Sequence, residues 1–383
     1  GAGTDTLAFE ESTTGGAEVN LTRGGAVNFE NLIATGSAET VRGDAGNNIL
    51  QGKGGADTLY GGSGNDTLYA HNNEGSETSD ESTNDNLYGE AGDDVLSASD
   101  GDNILDGGTG ADTIRSGSGS DTIVVRSGSG GSALENADTI TDFTDGADVL
   151  GLDDSLLYSD LTIAQSSSDT VISITSSSEY LAILTGITAS NINYLDFVSV
   201  ATGDQSFTGT TGDDVFIGAA GVDTITTNTG VDIVLAADGD DVITIDDTGN
   251  KTIDGSSGAD SLTISVSGIN SLSDYTFTTS GGYLVLTDAS SNVIQYKNIE
   301  SLTVGSYTYI EDTTNDTYWN ATEKVLYMYD GGSASSDSIT DLSGFSAASN
   351  LSVVGSGSGD SMNLNIDRSS DLTGNLTLLM GDG

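Results

Sequence analysis

Apolar residues recur every nine positions in two stretches of this chain, a period that matches neither an amphipathic helix nor a simple alternating strand. From Gly43 the sequence reads GDAGNNILQ, GKGGADTLY, GGSGNDTLY. After a ten-residue interruption, Ala70 to Ser79, it resumes as DESTNDNLY, GEAGDDVLS, ASDGDNILD, GGTGADTIR and SGSGSDTIV, ending at Val124. ATGSAETVR (34–42) is a degenerate first copy. A second array starts at Gly209 with GTTGDDVFI, GAAGVDTIT, TNTGVDIVL and AADGDDVIT. Ten residues, Ile245 to Asp254, then break the register before GSSGADSLT closes the array.

Three positions hold in almost every copy: Gly at the fourth, Asp or Asn at the sixth, an apolar residue at the eighth. Glycines at the first, second and fourth positions permit positive φ and a tight turn. The sixth-position carboxylate stands at the end of that turn. The β-branched or apolar residues around the eighth suit a short strand with one side chain pointing inward. Turn plus strand in nine residues is half a coil, so two repeats make one turn of a flattened parallel β-roll. Gly-Asp turns of ordinary hairpins would not require the same Asp every nine residues.

Charge changes the picture next. The 383 residues hold 9 Lys+Arg against 59 Asp+Glu, a net charge of −50. Such self-repulsion opposes a compact state. It argues against nucleic acid, whose phosphates need basic patches, and against anionic membranes. It invites cations. There are 53 Gly, no Pro and no Cys, so disulfides are impossible and metal is the natural staple. No apolar run approaches the ~18 residues of a membrane span. GAGTD at the start looks like the end of a repeat and GDG (381–383) like the beginning of another, so the chain reads as a segment of a longer array.

The pattern G-G-x-G-x-D-x-U-x resembles the repeat of the RTX (hemolysin-type calcium-binding) family, and GGSGNDTLY and GGTGADTIR match it at every defined position. The resemblance covers roughly 34–124 and 209–263. It implies an all-β, right-handed parallel β-roll (β-solenoid), Ca²⁺ held between successive turns, and export by type I secretion machinery. ADTITDFTDGADVLGL (137–152) and YLAILTGITASNINYLDFV (180–198) resemble the β-rich segment that follows RTX arrays in secreted bacterial proteins. A second array after that flank departs from the usual order and suggests a modular chain.

Calcium takes six to eight oxygen ligands, which carboxylates and turn carbonyls supply. The expected metal ligands are Asp57, Asp66, Asp85, Asp94, Asp112 and Asp121, then Asp214, Asp223, Asp232, Asp241 and Asp260. Asn48 and Asn103 occupy the same position without charge and should give weaker sites. Asp142, Asp145 and Asp148 form a candidate site in the flank. Repeats two apart stack at ~4.8 Å. Two bare carboxylates at that spacing repel by roughly 3–4 kcal/mol at an effective dielectric of 20. Metal between them reverses the sign, and binding energy becomes folding energy.

The expected domains are a β-rich cap (1–33), a first calcium-binding roll (34–125), a β-rich flank (126–200), a second roll (201–263) and a β-sandwich or irregular solenoid (264–383). Tyr283, Tyr296, Tyr307, Tyr309, Tyr327 and Tyr329 cluster in the last part; they suit cross-strand packing, with cell-surface polysaccharide or a neighbouring subunit as alternatives. Trp319 reads as packing. His71 is the only histidine, and no H-E-x-x-H, nucleophile elbow or Cys–His pair exists, so no enzyme is expected. The expectation is a self-associating structural protein of the cell surface or matrix, such as an S-layer, filament or adhesin. The alternative is the calcium-folding, secretion portion of a toxin or hydrolase whose catalytic domain lies elsewhere.

Overall fold

The computed structural model describes residues 5–8, 18–21, 29–71, 83–153, 156–312, 317–320, 325–328, 351–354 and 376–379. The chain divides into two units, 1–201 and 202–383. Apart from short 3-10 turns, the described residues are strands and connections.

In the first unit alternate repeats enter alternate sheets. One sheet stacks Thr6–Ala8, Asn31–Ile33, Ile49–Gln51, Thr67–Tyr69, Val95–Ser97, Thr113–Arg115 and Asp138–Ile140 in parallel. The other stacks Glu18–Asn20, Thr40–Arg42, Thr58–Ser63, Asn86–Ala91, Ile104–Asp106, Thr122–Val125, Val149–Leu152 and Phe197–Ser199. The eighth-position side chains fill the space between: Val41, Leu50, Leu59, Leu68, Leu87, Leu96, Leu105, Ile114 and Ile123 are each 0% exposed. Each buried aliphatic side chain contributes about 1.5–3 kcal/mol. The interruption after Tyr69 leaves this line intact, since Leu59 pairs with Leu87 and Leu68 with Leu96. Both sheets run on past residue 125, and a hairpin of Leu161–Ser166 and Asp169–Ile174 lies antiparallel against Glu179–Leu184.

The second unit repeats the scheme. Ser206–Thr208, Thr224–Thr226, Val242–Ile245, Ser261–Ile264 and Ser301–Val304 form one parallel stack. Val215–Ile217, Asp232–Leu235, Lys251–Asp254 and Val293–Lys297 form the other. The register break at 245–254 is in fact a repeat with one extra residue: DDTGNKTID (246–254) places Ile253 in the core at 0% exposure. Beyond this, Tyr275–Ser280 and Tyr283–Asp288 continue one sheet antiparallel, and Tyr307–Asp312, Thr317–Asn320 and Val325–Met328 the other. Leu351–Val354 and Leu376–Leu379 add parallel strands. Tyr296 is buried and Tyr283 faces Lys297; Tyr329, residues 1–4, 362–367 and 381–383 lie outside the described residues.

Candidate metal centre

The turns between strands form the site. At most sixth positions the backbone N–H donates to the side-chain oxygen of the sixth-position residue one coil later. On one edge of the first unit these bonds run Asn48 to Asp66 (2.7 Å), Asp66 to Asp94 (2.6 Å), Asp94 to Asp112 (2.7 Å) and Asp112 to Asp138 (3.0 Å). On the other they run Glu39 to Asp57 (2.8 Å), Asp57 to Asp85 (2.7 Å), Asp85 to Asn103 (2.9 Å), Asn103 to Asp121 (2.9 Å) and Asp121 to Asp148 (3.1 Å). The second unit has Gln205 to Asp223 (2.7 Å), Asp223 to Asp241 (2.8 Å), Asp241 to Asp260 (2.8 Å) and Asp260 to Glu300 (2.7 Å), with Asp214 to Asp232 (3.0 Å) on its other edge.

One carboxylate oxygen is thereby fixed. The other turns into its own turn, against the first-position glycine. A Cβ on Gly61 would stand 2.5 Å from Asp66 Oδ2 and 2.7 Å from the Gly89 carbonyl oxygen. A Cβ on Gly89 would meet Asp94 Oδ2 and the Gly107 carbonyl, and one on Gly255 would meet Asp260 Oδ2 and the Asn298 carbonyl. Each such turn is a cradle of oxygens that only a missing side chain leaves open.

The turns come in two states, and the second position distinguishes them. At Asp44, Thr210 and Ala219 the second-position N–H bonds its own sixth-position side chain: Asn48 Oδ1 at 2.8 Å, Asp214 Oδ2 at 2.7 Å, Asp223 Oδ2 at 2.6 Å. Thr35 closes on Glu39 Oε2 in the same way at 3.2 Å. At Gly62 (φ 109°), Glu90 (φ 71°), Ala237 (φ 73°) and Ser256 (φ 68°) the backbone is left-handed instead. The carboxylates of those turns, Asp66, Asp94, Asp241 and Asp260, are at most 1% exposed, and their Oδ2 atoms accept no hydrogen bond. A left-handed non-glycine residue costs about 1–3 kcal/mol and persists only where its surroundings demand it. Buried carboxylate oxygens also ordinarily find donors. An oxygen-lined turn that offers its carboxylate no proton donor suits a hard cation.

Electrostatics agree. Burial pushes Asp66 and Asp241 from the ordinary 3.8 to about 6, and Asp94 and Asp260 to about 7. Asp112, Asp121, Asp138 and Asp148 are raised too, chiefly by burial, with neighbouring carboxylates adding to it at each. Among the described residues no three ionisable side chains converge as a conventional metal cluster. Side chains arrive in stacked pairs, leaving turn carbonyls to complete any coordination shell.

Each sequence-predicted residue has a place. Asp57, Asp85, Asn103 and Asp121 follow one another on one ladder and Asp112 lies on the other, and His71 Nδ1 stands 3.8 Å from Asp85 Oδ2. Asp232 is ion-paired with Lys251. The flank trio divides. Asp148 joins the ladder and also accepts from Thr144 N at 2.7 Å. Asp142 accepts from Ser116 N (3.0 Å) and Gly117 N (3.1 Å), with Arg115 Nε at 3.5 Å, while Asp145 is exposed. Sequence reasoning missed Asp138 and Glu300, although A-D-T-I (137–140) and I-E-S-L (299–302) keep the acid two residues before a buried aliphatic. It also missed a second, outer ladder at the fifth position. Asn65 N donates to Asn47 Oδ1 (2.9 Å), Ala111 N to Asp93 Oδ1 (3.0 Å) and Ser120 N to Asp102 Oδ1 (2.9 Å).

Stacked parallel strands with buried, unsatisfied carboxylates along the turns define a cation-binding β-roll. The family model HemolysinCabind, the RTX calcium-binding nonapeptide repeat (4 copies), matches residues 33–70, 81–114, 88–123, 97–130 and 208–243. The chain therefore carries RTX repeats in both units, and its cation is calcium. Among solved structures, it is similar to the AlgE6R3 subunit of the Azotobacter vinelandii mannuronan C5-epimerase at 23% identity, over 43% of this chain and 80% of that one, with a TM-score of 0.16. The extracellular lipase LipA from Serratia marcescens is similar at 15% identity, over 74% of this chain and 40% of the lipase, with a TM-score of 0.19. A comparison with curated protein sequences yields no match. Among the described residues no helix is long and apolar enough to cross a membrane.

Proposed function

We propose that this chain is a calcium-dependent structural protein of the bacterial cell surface or extracellular matrix, folding and assembling outside the cell after type I secretion. The observation that carries this is the set of buried Oδ2 atoms of Asp66, Asp94, Asp241 and Asp260, which lack donors, those of Asp66, Asp94 and Asp260 standing beside turn carbonyls. In the low-calcium cytosol these carboxylates repel and the chain stays export-competent; outside, millimolar calcium fills the open turns and the roll folds. Asp57, Asp85, Asp112 and Asp121 serve with them as ligands, and the closed turns of Asn48, Asp214 and Asp223 bind more weakly. The role is mechanical, not catalytic: the histidine and the abundant acids serve turns, and coils add length by nearest-neighbour contacts.

Calcium titration of the full chain tests this, followed by circular dichroism, size-exclusion chromatography and electron microscopy. Strand signal that rises with calcium and falls back in EGTA, together with lattices or filaments, is the expected result. An unchanged spectrum would sink the calcium part. Calcium-folded but dispersed monomers would refute assembly and favour the secretion portion of a larger toxin or hydrolase.

A further inference from the structure

One step of the second unit's ladder carries a lysine where the repeat carries an acid. In DDTGNKTID (246–254), Gly249 takes the fourth position with φ 131°, like Gly230 one coil earlier, and Lys251 takes the sixth. Lys251 stands directly over Asp232 in the parallel register. Its side chain is fully buried. Nζ lies 2.7 Å from Asp232 Oδ2 and donates to the Gly230 carbonyl oxygen at 2.8 Å.

Those two oxygens are of the kinds that bound the open turns elsewhere, a sixth-position Oδ2 and a turn carbonyl. The Asp232 turn is itself in the open state, with Asn228 left-handed at φ 56°. The Asp232 N–H, with no carboxylate above it, donates to the Asn250 carbonyl at 3.0 Å. Charge balances as well. Two stacked carboxylates need one divalent cation, whereas one carboxylate and one ammonium need none. A buried ammonium without such partners would be strongly disfavoured. Burial raises the Asp232 carboxyl, and the Lys251 hydrogen bond and charge oppose that rise.

We propose that Lys251 is a built-in cation that replaces a calcium ion at the Asp232 turn, so that this coil closes without metal. The inference rests on the calcium reading of the other turns. It gives the second unit one permanently neutralised step from which calcium-dependent coils extend.

Calcium per chain is measured by equilibrium dialysis and elemental analysis on the full chain and on Lys251→Asp, which restores an acid at the sixth position. The variant should bind one further calcium and lose more strand signal than the parent in EGTA. Equal calcium counts with a folded variant overturn the proposal. Should the variant not fold, amine acetylation of the unaltered chain, mapped by mass spectrometry, decides. Lys251 should label more slowly than the partly exposed Lys53 with calcium present, and its labelling should not accelerate as calcium is added. Lys251 labelling as fast as Lys53 under calcium refutes the assignment. A chain that binds no calcium in either form overturns the calcium reading itself, whatever the labelling of Lys251.

Discussion

Stripped of calcium, the roll should become less stable as the pH rises. Asp66 and Asp241 are pushed from 3.8 to about 6, Asp94 and Asp260 to about 7, chiefly by burial. A carboxyl whose folded pKa exceeds its unfolded value stabilises the fold below the unfolded pKa, and that contribution disappears as the pH passes the folded value. The window here runs from about 4 to about 7. One pKa unit corresponds to about 1.4 kcal/mol, so the full shifts would amount to about 3–4 kcal/mol each. The turns lie at the solvent-facing edges of the coils, and screening there halves this to about 1–2 kcal/mol per carboxyl. Several such groups together rival the ~5–15 kcal/mol by which domains are stable.

The assay is urea unfolding of the full chain in EGTA, followed by far-UV circular dichroism from about pH 5 to pH 8, at low protein concentration because the pI is about 4.1. The midpoint should fall across that range. With millimolar calcium the slope should reverse, because the metal competes with the same protons. Calcium binding at about pH 6 should therefore release protons, visible as a dependence of the binding heat on buffer ionisation enthalpy. A midpoint in EGTA that is flat or rises with pH would refute the assignment of these buried carboxyls as the metal-free roll's weakness.

Four further outcomes follow from the same geometry. Asp94→Asn keeps an oxygen for the Asp66 N–H but removes a charge, so it should lower stability by about 1–3 kcal/mol in calcium and raise it in EGTA, read from paired urea midpoints. Asp145→Asn removes an exposed charge beside the buried Asp196 carboxyl and should shift either midpoint by less than about 1 kcal/mol. Gly92→Ala forces a Cβ into the Gly64 carbonyl at φ 141° and should cost about 1–3 kcal/mol; a melt within error of the parent contradicts the tight stacking of fourth-position turns. Leu96→Ala empties a core position of 0% exposure and should cost about 2–5 kcal/mol in calcium, whereas a loss below about 1 kcal/mol would mean that the sheets close on the cavity.

How much of this was legible in the sequence depends on which interaction sets each position. The eighth-position residues were readable because burial between two sheets admits only an apolar side chain, and Leu50, Leu59 and Leu68 recur at the predicted spacing. The sixth-position acids were readable for a similar reason, since one geometric role selects one chemistry. Asp138 and Glu300 escaped notice because their coils lack the glycines, and the backbone can keep its register through the acid–x–aliphatic core alone. The open and closed turns were not legible at all. Glu90, Ala237 and Ser256 are residues that ordinarily avoid left-handed backbone, whereas Asp44 and Thr210 close their turns through the same second-position amide. Composition at the second position does not decide between the two. Lys251 shows the same limit from the other side. As a letter it breaks the repeat, yet in the stack it supplies the positive charge the position requires. The pattern thus encodes an electrostatic role at each turn, and any side chain that fulfils the role can stand in for the motif.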